Sequence, residues 1–117
     1  MRTSEKSLNT SLKKEIETVF IQIIADLRDL GETKVFLTDF LNESEYESFA
    51  KRLAIAYWLK KGRSYSNIKD NLKVSSATIA TIQNMITKPG FKLALKKIEA
   101  EEWANQWAEK IKKFVKK

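Results

Sequence analysis

Apolar positions recur along most of the chain at three- and four-residue steps, the period of an α-helix packed on one side. Leu12, Ile16, Val19, Phe20, Ile23, Ile24 and Leu27 form the first such stripe, so the pattern predicts a helix over 11–30, with Gly31 as a left-handed C-cap. A shorter helix is predicted from Thr33 to Leu41, carrying Val35, Phe36, Phe40 and Leu41. Asn42 followed by Glu45 has the spacing of a capping box. The helix it starts carries Tyr46, Phe49, Leu53, Ile55, Ala56 and Leu59 and stops at Gly62. Two short helices come next. Ser64 caps the first, Tyr65 to Leu72, and Lys73-Val74-Ser75 turns the chain into the second, Ser76 to Ile86. Lys88-Pro89-Gly90 breaks the pattern, and a last helix is predicted from Phe91 to Val115.

That last helix has an unusual wheel. Phe91, Leu95 and Ile98 share one face, while Ala100, Trp103, Ala104, Trp107, Ala108, Ile111 and Phe114 share nearly the opposite one. Either the helix breaks near Glu99, or one long helix buries its halves against different partners. Self-association through this helix, an ordinary fold-back onto 11–30 and a membrane-surface helix are all compatible with the stripe. The organisation expected is a flexible arm over 1–10, a helical domain over 11–88 and an amphipathic C-terminal extension over 89–117.

Composition agrees with an all-α fold and narrows the function. The chain has 117 residues, enough for one domain, and only three Gly and one Pro to punctuate it. Lys and Arg number 22 against 15 Asp and Glu, a net charge of +7 that draws polyanions, nucleic acid before anionic membrane. Cysteine and histidine are absent, which excludes disulfides and thiolate metal sites and removes the commonest general base. No apolar run reaches the ~20 residues of a membrane span, and the N-terminus lacks the apolar middle of a signal peptide. A cytoplasmic protein with no membrane association and no cofactor is the expectation. Carboxylates lie along solvated helix faces without a nucleophile–base pairing, and no Gly-rich phosphate loop occurs, so no enzyme is expected.

The segment from Ser64 to Met85 carries the candidate chemistry. Its two short helices and three-residue turn have the form of a helix-turn-helix. Ile68, Leu72, Val74, Ile79 and Ile82 fall where such helices pack together. Ser75 can cap the second helix. Ser76, Ala77 and Thr78 are small enough to let its N-terminus approach DNA, where backbone N–H groups bind phosphate. Thr81 and Gln83 follow one turn later, within reach of base edges. Lys73 stands where the turn favours Gly, at a cost of order 1 kcal/mol, and with Arg63 and Lys69 it supplies charge for the backbone. Lys60, Lys61 and Lys88 add to the basic neighbourhood. A helical hairpin of purely structural use would show the same apolar seam.

The stretch FLNESEYESFAKRLAIAYWLKKGRSYSNIKDNLKVSSATIATIQNMI resembles the Trp-repressor-like family. The likeness lies in an acidic capping turn, an A-x-R-hydrophobic helix ending in L-x-x-G, and S-Y-x-x-I-x-x-x-L-x-V-S-x-A-T-I. Weaker similarity reaches back over Val19 to Leu41. The resemblance implies an all-α bundle of about six helices, an intertwined homodimer, and two reading heads about 34 Å apart on a palindromic DNA site. It places Ser75, Ser76, Ala77, Thr78 and Thr81 on the base-facing surface and Lys69 and Lys73 near the backbone. It also implies a pocket in which two arginines sandwich tryptophan. Arg52 matches the first, but Thr81 stands in place of the second and Asn42 in place of a threonine. L-tryptophan is therefore not expected as effector, and Arg52 is expected to pair with a carboxylate rather than grip a ligand. The function expected is a sequence-specific transcriptional regulator of bacterial type, a repressor. The alternative is a helical interaction or adaptor module whose helix-turn-helix is structural only.

Overall fold

The computed structural model describes the backbone of residues 7–115 and the side chains of residues 7–102 and Asn105. Among the described residues it is all-helical: α1 (Thr10–Ala25), α2 (Leu30–Phe40), α3 (Glu43–Lys60), α4 (Tyr65–Leu72), α5 (Ser76–Gln83) and α6 (Pro89–Val115). Residues 1–6 of the expected flexible arm lie outside the described residues.

The chain divides into two compact units, one ending at Glu43 and one beginning at Ser44. In the first, Asn9 starts α1, its side-chain oxygen accepting from the N–H groups of Ser11 and Leu12. The helix ends at Ala25 rather than near Leu30, and Gly31 is no C-cap. Asp29 accepts from the Glu32 N–H at 2.8 Å and starts a new helix at Leu30, so Gly31 falls in its first turn. A capping carboxylate there outweighs the breaking tendency of one Gly. Phe20 stacks on Phe40 at 5.7 Å and Phe36 on Phe40 at 5.0 Å. Yet neither helix has a buried residue; Ile16, Val19, Phe20, Ile23 and Ile24 all remain about half exposed. The stripe read from the sequence is present, but this unit alone does not cover it.

The second unit holds the core. Ile55 and Ala56 of α3, Ile68 of α4, Ile79 and Ile82 of α5, and Leu95 of α6 are buried together. Tyr57, Trp58, Leu72, Val74, Phe91 and Ile98 pack around them. Leu95, with Phe91 and Ile98, thus seats the first turns of α6 in this core. The helix runs unbroken through Val115, and Pro89 and Gly90 open it rather than precede it, as a first-turn proline can. Of the face predicted opposite, the side chains of Trp103, Ala104, Trp107, Ala108, Ile111 and Phe114 lie outside the described residues.

Two residues hold left-handed backbone, Gly62 at φ 83° and Lys73 at φ 56°. Gly62 closes α3, and nothing stands within 4 Å of where its Cβ would be. Only the backbone therefore resists a side chain there. Gly62→Ala is expected to lower stability by about 1 kcal/mol, and Lys73→Gly to raise it by about 1 kcal/mol. Urea unfolding of the two variants beside the parent chain checks both signs.

Candidate nucleic-acid interface

α4 and α5 pack on each other through Ile68, Ile79 and Ile82, and the turn between them is short because Lys73 accepts the strained conformation. Its φ of 56° and ψ of 54° reverse the chain within the three residues 73–75. Ser64 caps α4 by accepting from the Asn67 N–H at 3.1 Å. Ser75 caps α5 by accepting from the Thr78 N–H at 3.1 Å, and its hydroxyl also bonds the Thr78 hydroxyl at 2.9 Å. Both caps fall where the sequence places them. α5, however, ends at Gln83; the residues up to Thr87 continue as turns, so Ile86 lies past the helix.

With Ile79 and Ile82 committed to the core, helical spacing puts Ala77 and Thr81 on the opposite, outward side of α5, with Ser76 and Thr78 on its flanks. All four are exposed, as are Ser75, Lys69, Lys73 and Arg63. Several hydroxyls on this surface are used locally: besides Ser75 and Thr78, Thr81 donates to the Ala77 carbonyl at 3.0 Å. What remains accessible at the start of α5 is small side chains and the uncapped N–H groups of its first turn.

The basic residues separate into two sets. Lys60 pairs with Glu99, and Lys61 with Glu102 at 3.2 Å, tying the end of α3 to α6. The hydrogen bond from Lys60, aided by the charges of Lys60 and Lys61, holds the Glu99 carboxyl below the ordinary carboxylate value. These two lysines serve α6. Arg63 is held differently: its guanidinium lies 4.0 Å from the Trp58 ring centre and its Nη1 donates to Asn67 Oδ1 at 3.2 Å. A stacked, partly bonded guanidinium is pre-oriented, with N–H groups left over for a phosphate. Lys69 and Lys73 form no ion pair among the described residues.

Gln83 is exposed, but it is not free. Its side-chain oxygen accepts a hydrogen bond from the hydroxyl of Tyr65, the first residue of α4. No sequence signal marks Tyr65 as a polar partner of Gln83. Eighteen residues separate the pair, so no local periodicity links them.

Arg52 departs from expectation. Among the described residues it pairs with no carboxylate; its guanidinium stacks on the Phe49 ring at 5.3 Å. The nearest turn of α3 offers that aromatic face, and an exposed guanidinium gains as much there as from a solvated ion pair. Arg52 borders a groove of about 400 Å³ between α3 and the start of α5, where Lys51, Lys73, Ser75 and Thr78 also stand. Thr81 does not line it. No cluster of residues suited to a metal ion occurs among the described residues, and no helix there is long and apolar enough to cross a membrane.

Comparison with known proteins places the chain beside a described family. The family model described as Trp repressor protein matches residues 15–99. The uncharacterized protein YerC of Bacillus subtilis (strain 168) is 30% identical over 91 residues, covering 76% of this chain and 86% of YerC. No solved structure matches. The family match spans both compact units and ends at Glu99, leaving the later turns of α6 outside it.

Proposed function

The chain belongs to the Trp repressor family, and from that premise we propose that it is a sequence-specific DNA-binding transcriptional regulator, a repressor, acting as a homodimer. The observation that carries this reading is the first turn of α5: capped by Ser75, built of small exposed residues, and anchored from behind by Ile79 and Ile82. A rigid helix end without bulky side chains can enter a major groove and offer N–H groups to phosphate. In this reading Ser75, Ser76, Ala77, Thr78, Thr81 and Gln83 face the bases, and Arg63, Lys69 and Lys73 hold the backbone. Double-stranded DNA is the partner.

The half-exposed apolar side of α1 and α2 supports the homodimer, since a second copy of the chain would bury it. Independence from tryptophan is supported by Arg52, which rests on Phe49, and by Thr81, which is not among the residues lining the groove and bonds its own helix. The cytoplasm of a bacterium is where such a regulator acts; of the expected extension over 89–117, the first turns of α6 belong to the domain's core and only the residues past Glu99 extend beyond the family match.

Selection of random duplex DNA at about 0.15 M salt tests the reading. Enrichment of a palindrome is expected, with affinity falling about 10³-fold between roughly 50 and 200 mM salt as phosphate contacts release counterions. A folded protein that retains no duplex would return the helical adaptor as the better account.

A further inference from the structure

α6 is seated in the core by its start. Phe91, Leu95 and Ile98 pack there, and Glu99 and Glu102 pair with Lys60 and Lys61 on the same side of the helix. The helix then continues without a break to Val115, past the end of the family match at Glu99. At about 100° per residue, Ala100, Trp103, Ala104, Trp107, Ile111 and Phe114 fall within a sector of about 100°. That sector lies across the helix from Leu95 and Ile98, so the core that seats α6 is on the other side from it. Charge along this stretch is graded, with Glu101 and Glu102 at its start and Lys110, Lys112 and Lys113 towards its end. Glu101 is exposed and forms no ion pair among the described residues. Three helical turns and about 20° separate it from Lys112, so both stand along the edge of the apolar sector marked by Ala104 and Ala108.

We propose that residues 100–115 of α6 form an antiparallel pair with the same segment of a second copy of this chain, about a two-fold axis near Trp107. Such an axis brings the same edge of the two helices together, so Glu101 of one copy stands opposite Lys112 of the other, twice over. Ala100 and Phe114 lie at equal steps either side of Trp107, as do Trp103 and Ile111. Apolar positions therefore meet apolar ones, a small residue against a large one at each end. A parallel pair would bring opposite edges together and set acidic start against acidic start, without these ion pairs. An anionic membrane surface would meet Glu101 at the rim of the apolar sector, and like charges there oppose binding. The surface is distinct from the apolar side of α1 and α2, and the pairing stands whether or not the chain binds DNA.

The test is sedimentation equilibrium of the full chain at about 0.15 M salt, beside Trp107→Glu, Glu101→Lys, Lys112→Glu and the double variant Glu101→Lys/Lys112→Glu. The parent chain is expected to show an association step that Trp107→Glu weakens at least about a hundredfold, as loss of a central aromatic anchor does. Each single reversal turns two facing pairs of opposite charge into like pairs and should weaken the same step by about tenfold. The double variant exchanges the charges and should return to within about twofold of the parent. That recovery cannot come from a chain that fails to fold, so it separates pairing from damage to the helix. Single reversals that leave association unchanged overturn the antiparallel pair, as does a double variant no tighter than the singles. Trp107→Glu with the parent's association overturns it as well. If phosphatidylglycerol vesicles then bind the parent and not this variant, the apolar sector belongs to a membrane surface instead.

Discussion

An Ala77→Asp variant is expected to lose at least about a hundredfold in operator affinity while unfolding at the same urea concentration as the parent chain. The two halves of that result come from the same helix position. Ala77 lies in the first turn of α5, opposite Ile79 and Ile82, so its side chain touches no core residue. A carboxylate in the first turn of a helix is favoured by the backbone dipole, by a few tenths of a kcal/mol at an exposed site. The fold therefore tolerates it. In the complex the same carboxylate would stand among phosphates, at the one end of α5 whose N–H groups are open to them, and like charges at a closed interface cost several kcal/mol. Fluorescence titration of a labelled operator measures the affinity, and urea unfolding measures the stability. Unchanged affinity would place the DNA surface elsewhere on the chain; a fall in both would mean that Ala77 is packed, contrary to its exposure.

The helix-turn-helix was legible because each of its parts has a local cause. Ser64 and Ser75 are hydroxyl caps, Lys73 sits in a turn too short for any other backbone, and Ile68, Ile79 and Ile82 repeat at helical spacing. The break between α1 and α2 was not legible as placed. Gly31 looked like the stop signal, whereas the Asp29 carboxylate, two residues earlier, began the next helix. Arg52 shows a different kind of failure. An arginine near several glutamates on one helix suggests an ion pair, but rotamers decide between a carboxylate and a ring, and here the Phe49 face is chosen. Lys60 and Lys61 look identical to Lys69 and Lys73 in the sequence. They differ only because α6 returns Glu99 and Glu102 to the end of α3. The Tyr65–Gln83 bond is non-local in the same sense. Local signals thus fixed the scaffold of the candidate site, and tertiary packing sorted which polar side chains stay free to work on it.

That scaffold hangs on few side chains, which gives the largest stability effect. Ile79→Ala is expected to destabilise the protein by about 3 kcal/mol, and Ile79→Val by about 1 kcal/mol. Ile79 is 0% exposed and belongs to a cluster of six buried residues that joins α3, α4, α5 and α6. Removing its branched end takes apolar atoms out of a cluster that also holds Ile55, Ile68 and Ile82, and leaves a cavity within it. The cluster draws on four helices, so the gap cannot close without shifting α5 against its neighbours. The valine variant keeps most of the volume and separates lost packing from a general intolerance of change. Urea midpoints at one fixed protein concentration measure both, since subunit association would otherwise shift the apparent stability. The midpoint should fall in the order parent, valine, alanine with an unchanged slope, the mark of a stability change rather than a looser native state. Operator binding should weaken in the same order only as the unfolded fraction grows, because Ile79 supports α5 from behind and faces no base. An alanine variant as stable as the parent would show that α5 does not depend on this core, and that the geometry assigned to Ala77 and Thr81 has no firm backing.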